Sequence, residues 1–202
     1  MQINAAINLA FPIRTDDAGN AVLHAYHTPI SREVFEASYR IIAATKAALF
    51  GKGLAYAADV GPRIAALALA DAGRQIAAEG ADPMVAGDAG DGGARSLLME
   101  IRRLTMVLTP GPAGFDLLPI DAAVARGVID ADDWREAEAA LVFFTCAFAM
   151  VPRAKRRAMA AFLASLLTAS ITSLPPTEYG DSLGTLTPTA TSGAFHPSSV
   201  PS

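Results

Sequence analysis

Asp130-Ala131-Asp132-Asp133-Trp134-Arg135-Glu136-Ala137-Glu138-Ala139-Ala140-Leu141-Val142-Phe143-Phe144-Thr145-Cys146-Ala147-Phe148-Ala149-Met150-Val151 is the stretch on which the fold turns. It opens on carboxylates placed to cap a helix, since a side chain at Asp130 can accept the free amides two and three residues on while Asp133 returns the favour. From Leu141 onward it is apolar on every side, and a helix without a polar face is buried all round. Pro152 ends it. The apolar run is shorter than the roughly 18 to 20 residues needed to cross hydrocarbon, so the spacing predicts a core helix and no membrane span.

Outward from this core the chain reads as a mainly α, compact helical domain over residues 31–172, with a small N-terminal β-hairpin in residues 1–30 packed on it and a loosely ordered Ser/Thr/Pro-rich tail over 173–202. Upstream, Pro119 to Arg126 is a short helix closed by Gly127. Ala94 to Leu108 carries Leu97, Ile101, Leu104 and Leu108 at helical spacing, and Pro110-Gly111-Pro112 stops it. Gly80 to Gly93 is dense in breakers and reads as a flexible linker. A helix starting near Pro62 fades by Gly80, because proline suits a first helical turn. Ser31 caps a helix running to Phe50, with Gly51-Lys52-Gly53 after it. Ile7, Leu9, Phe11 and Ile13 alternate as a strand does, Thr15 to Asn20 turns, and Ala21 to His27 returns. Downstream, Arg153 to Ser170 reads as a last amphipathic helix built on Phe162, Leu163, Leu166 and Leu167. After Thr172 too few large apolar groups remain to offset chain entropy.

Composition narrows the function. Sixteen basic against 20 acidic residues, a net charge of -4, leave no broad basic footprint for nucleic acid. One cysteine, Cys146, excludes an internal disulfide and suits a reducing compartment. The start, Met1-Gln2-Ile3-Asn4, lacks the basic and apolar regions of a secretory signal.

Each reactive residue has a structural reading that outweighs the chemical one. His24 and His27 are three apart in a strand and point to opposite faces, which denies them a common metal. His196 belongs to the tail. Cys146 sits where a thiolate is disfavoured. Gly87, Gly90, Gly92 and Gly93 lack the Lys-Ser or Lys-Thr of a phosphate loop, and Asp88 and Asp91 lack calcium-loop spacing. Asp130, Asp132, Asp133, Glu136 and Glu138 crowd a helix start, where the dipole favours them. Arg153, Lys155, Arg156 and Arg157 stand where the dipole is unfavourable to cations, and pair either with those acids or with an acidic partner. No catalytic residue, cofactor site or metal site is expected, and the chain reads as a protein that holds another protein.

Several segments together resemble the tail assembly chaperones of long-tailed, siphovirus-type bacteriophages. They are Ile3 to Leu9, His27-Thr28-Pro29-Ile30-Ser31-Arg32-Glu33-Val34-Phe35, Gly61 to Leu67, Pro119 to Gly127 with Leu141-Val142-Phe143-Phe144-Thr145, Thr172 to Tyr179, and Ser198 to Ser202. The resemblance implies a helper in the host cell cytoplasm that coats the tape measure protein, keeps it soluble and helps tail tube protein polymerise around it. It also implies, for some members, a longer frameshifted form of the same chain. Helix-in-groove binding through apolar residues near the hairpin and the 31–50 helix would serve that role. A structural tail or head-completion protein retained in the virion is the alternative, and a small membrane-acting phage protein a further one.

Overall fold

The computed structural model describes residues 7–17, 19, 21–80, 91–111 and 114–183. Among these, helices make up about 61% and strands 19%, arranged as one five-stranded antiparallel sheet with helices packed on it, a mixed α and β fold and not the mainly α one that the sequence predicts.

The helical half follows the sequence closely. Helix α6 (Ala131–Phe148) is capped by Asp130, whose Oδ1 accepts from the amides of Asp132 and Asp133 at 2.9 and 2.8 Å, while Asp133 Oδ2 accepts from the Asp130 amide at 3.1 Å. Every residue from Ala139 to Phe148 is buried. Against it pack α2 (Tyr39–Phe50), α3 (Leu54–Gly80), α4 (Ala94–Arg103) and α7 (Arg156–Leu166). The predicted helix from Ser31 to Phe50 is broken at Ser38 into α1 (Arg32–Ala37) and α2, while the Ser31 hydroxyl accepts from the Val34 amide as the sequence predicts. α5 (Ile120–Ala125) ends at Gly127, which takes φ +66°.

Helix α3 starts eight residues before the predicted Pro62. Gly53, at φ +99°, makes the break, and Pro62 sits inside the helix after Gly61. Gly61 lets α3 lie against α6: a Cβ there would fall 2.5 Å from the Phe143 ring, which stacks on Phe50 with centroids 5.7 Å apart. The predicted 80–93 linker falls mostly outside the described residues. Its last part opens α4: Asp91 Oδ2 accepts from the Arg95 amide at 2.8 Å, and Gly92 lies backbone to backbone with Gly73.

The sheet is where prediction and structure part. Strands β1 (Asn8–Thr15) and β2 (Ala21–His27) form the predicted hairpin, but they are its interior, in the order β4-β3-β2-β1-β5. β3 (Thr105–Gly111) replaces the end of the predicted 94–108 helix, and β4 (Gly114–Pro119) pairs back on it. Leu104 and Leu108 fit a helical stripe, yet Thr105, Val107 and Thr109 also alternate, and a short apolar run satisfies both periods. Pairing of His24 with Leu108 and Tyr26 with Met106 decides between them. β5 (Ser170–Thr172) joins β1 through Leu9 and Ile171, where the sequence reads the end of a helix; α7 stops at Leu166, and Thr168 takes φ +52°. The predicted loose tail is also corrected in its first part, since α8 (Pro176–Ser182) folds onto β4; residues 184–202 lie outside the described residues.

Candidate functional site

Strand β2 sends alternate side chains to opposite faces of the sheet. His27 enters the helix-facing core and is fully buried. The Thr105 hydroxyl gives its one proton to the Ile101 carbonyl at 2.7 Å, so His27 Nδ1, 2.9 Å from that oxygen, is the donor in their bond. His27 Nε2 then has no partner among the described residues. Burial pulls the imidazole pKa down to about 4. On the other face His24 lies edge-on to Phe115 and Tyr179, with centroids 6.0 and 6.4 Å away, and burial lowers its pKa too. The pair cannot share a ligand. Beside His24, the Tyr26 hydroxyl donates to the Leu174 carbonyl, and burial pushes its pKa up to about 12.

The other residues singled out in the sequence sit as follows. Cys146 is fully buried, and burial raises its thiol to about 12. Asp130 and Asp133 cap α6, Asp133 and Asp132 form ion pairs with Arg14 and Arg135, and burial holds the Glu138 carboxyl above its usual range. Gly87, Asp88, Gly90 and His196 lie outside the described residues. Among the described residues no three His, Cys, Asp or Glu side chains converge as metal ligands, and no helix is long and apolar enough to cross a membrane.

What the fold does build is an open cleft of about 660 Å³ between the start of β1, the segment from β2 to α1, and the C-terminal half of α6. Ile7, Ile30, Phe35, Phe144 and Phe148 make its apolar lining, the last two stacked with centroids 5.1 Å apart, and Thr28, Ser31, Arg32, Glu36, Thr145 and Arg156 its polar lining. Ile30 and Phe35 belong to the region where the sequence predicts contact residues. Phe144, Thr145 and Phe148 read in the sequence as core alone; their second role comes from α1 standing off α6 and has no signal in periodicity. Thr145, 3% exposed, lines the cleft with an Oγ1 that has no hydrogen-bond partner among the described residues. At the mouth, Arg32 pairs with Glu36 at 2.7 Å, while Arg156 bonds the Val151 carbonyl at 3.2 Å and has no carboxylate partner among the described residues. The acidic start of α6 and the basic turn after it are not paired with each other, which removes one of the two sequence readings of Arg153, Lys155, Arg156 and Arg157.

A second, wider cleft of about 880 Å³ lies between α4 and α5, and its arginines are matched: Arg95 with Asp91, Arg102 with Asp121, and Arg103 with Glu100. The first cleft, with an aromatic wall and an unmatched cation, is the stronger candidate for holding a partner. Comparison with family models, curated proteins and solved structures returns no match for the chain.

Proposed function

We propose that this chain is a tail assembly chaperone of a long-tailed bacteriophage, which covers apolar helix faces of the tape measure protein in the host cytoplasm and keeps it soluble while tail tube protein assembles around it. The observation that carries the reading is the open aromatic cleft beside α1 and α6. Phe35 and Phe148 give an aromatic wall backed by the buried Phe144, and an amphipathic helix docks its i, i+3 and i+4 side chains into such a groove. An ordinary interface of about 800 Å² per partner would extend beyond the cleft on all sides. The segments that resemble the family, His27 to Phe35 and Leu141 to Thr145, supply much of that wall. The role is binding and not catalysis.

Co-expression tests it. With this chain present, the tape measure protein of the same phage moves from the pellet to the soluble fraction and co-purifies. Unchanged solubility with no co-purification refutes the role, and abundant peptides of this chain in purified virions would make it a structural tail or head-completion component instead.

A further inference from the structure

We infer that the cleft and the basic turn after α6 form one docking site for an amphipathic, acid-flanked polypeptide segment: its apolar side chains enter between Phe35 and Phe148, and its carboxylates pair with Arg153, Lys155, Arg156 and Arg157. The inference rests on the chaperone reading only in taking the ligand to be a polypeptide.

Charge matching within the molecule is the first argument. Nine arginines, at 14, 32, 40, 63, 74, 95, 102, 103 and 135, each have a carboxylate within 4.0 Å. Lys46 donates to the Ala147 carbonyl and Lys52 lies over the Tyr56 ring. Of the 16 basic residues, the four within 153 to 157 are the one cluster with no carboxylate partner among the described residues, in a chain of net charge -4. They are exposed, and they occupy a 3-10 turn (Arg153–Lys155) and the first turn of α7, where the helix dipole repels cations. Arg126, at the end of α5, stands alone without such a partner among the described residues; a fold that matches nine of its other ten arginines leaves this cluster for a carboxylate from outside.

The cleft supplies the second argument. Arg156 lines it, so the basic turn and the aromatic wall are continuous. Thr145 adds a buried hydroxyl behind the same wall that has no hydrogen-bond partner among the described residues. Size favours a polypeptide over a free amphiphile: a molecule contained in the cleft meets Arg156, whereas Arg153, Lys155 and Arg157 lie outside the lining and are reached only by a chain that leaves the cleft along the turn.

The test uses the full chain and three fluorescent helical peptides of about 18 residues, five turns, with the same Leu and Phe stripe flanked by Glu, by Gln or by Lys. Anisotropy should show the Glu peptide binding at least about tenfold more tightly than the other two, with affinity falling as salt rises. The exposed triple substitution R153E/K155E/R157E should invert the preference toward the Lys peptide while leaving the melting temperature in place. A nitroxide on the apolar stripe of the Glu peptide should broaden the methyl signals of Ile7, Ile30 and Thr145, a readout that needs no variant. Equal affinity for all three peptides, an unaltered preference in the triple variant, or broadening elsewhere overturns the site. So does flotation of the chain with phosphatidylglycerol vesicles, lost in the triple variant, when no peptide binds: that result assigns the turn to a lipid surface. Glu-peptide binding without any effect on the tape measure protein leaves the docking site standing and removes the phage role; the converse removes the site and keeps the role.

Discussion

The two faces of the sheet are covered by different means. On one, α4, α6 and α7, with α2 and α3 packed behind α6, bury Leu9, Leu23, Val107 and the fully enclosed His27 beneath long helices whose own sequences announce them. On the other, a short strap after β5 does the work: Leu174 offers its carbonyl to Tyr26, and α8 lays Tyr179 over His24 and Gly180 against Leu108 and Phe115. The first face is held by area, the second by a few well-placed contacts. A layer built from helices many turns long is written in local periodicity; one built from seven residues is fixed by what it lands on.

Substitutions rank the two faces. The largest effect is expected on the helical side, where Phe143→Ala empties the space between α3, α2 and α6 and should destabilise by about 3–5 kcal/mol, measured by urea unfolding. A loss near that expected on the α8 face would mean the two layers contribute alike. Next comes pH. His27 has a pKa of about 4 when folded, below its ordinary value when unfolded, so the unfolded chain binds the proton first and stability is lost as pH falls from about 6.5 towards 4. The loss should be on the order of 3 kcal/mol, with His24 adding in the same sense, and His27→Gln should flatten most of it. A slope that survives in His27→Gln but vanishes in His24→Gln would put the sensitive imidazole on the other face.

Gly180→Val probes the strap alone. A Cβ there would come 3.0 Å from Leu108 Cδ2, so α8 must lift or its neighbour must shift, at about 1–3 kcal/mol. Hydrogen exchange should quicken at Tyr26 and along β4 while α6 stays protected; equal quickening in α6 would show one cooperative layer where two are expected. Smallest is Asp130→Ala, which removes the acceptor for two amides at the start of α6 and should cost about 1 kcal/mol.

Legibility in the sequence divides along the same line. Asp130 to Phe148 specifies its cap and its burial with local signals alone, and the structure keeps both; the helix stops at Phe148, short of the Pro152 at which the sequence ends it. Ser31 and Gly127 are read equally well, because a cap is a matter of two or three neighbouring residues. Thr105 to Leu108 misleads because four residues cannot separate a period of 3.6 from one of 2, and pairing across 80 positions with His24 and Tyr26 settles it. Ser170 to Thr172 has no signal of its own; it is a strand because β1 presents Asn8 to Ala10 there. The candidate cleft falls between these cases. Phe35 and Ile30 lie in a region the sequence marks for contact, while Thr145 and Phe148 acquire their role from the gap that α1 leaves beside α6.

Strand β5 lies at the sheet edge beside β1, so the first and last strands among the described residues are neighbours. On a ribosome adding about 5–20 residues per second, Asn8 to Ala10 emerges on the order of ten seconds before Ser170 to Thr172. For that interval the hairpin carries a bare hydrogen-bonding edge, and the nascent chain must be guarded by its own early helices or by a host factor until its final strand arrives.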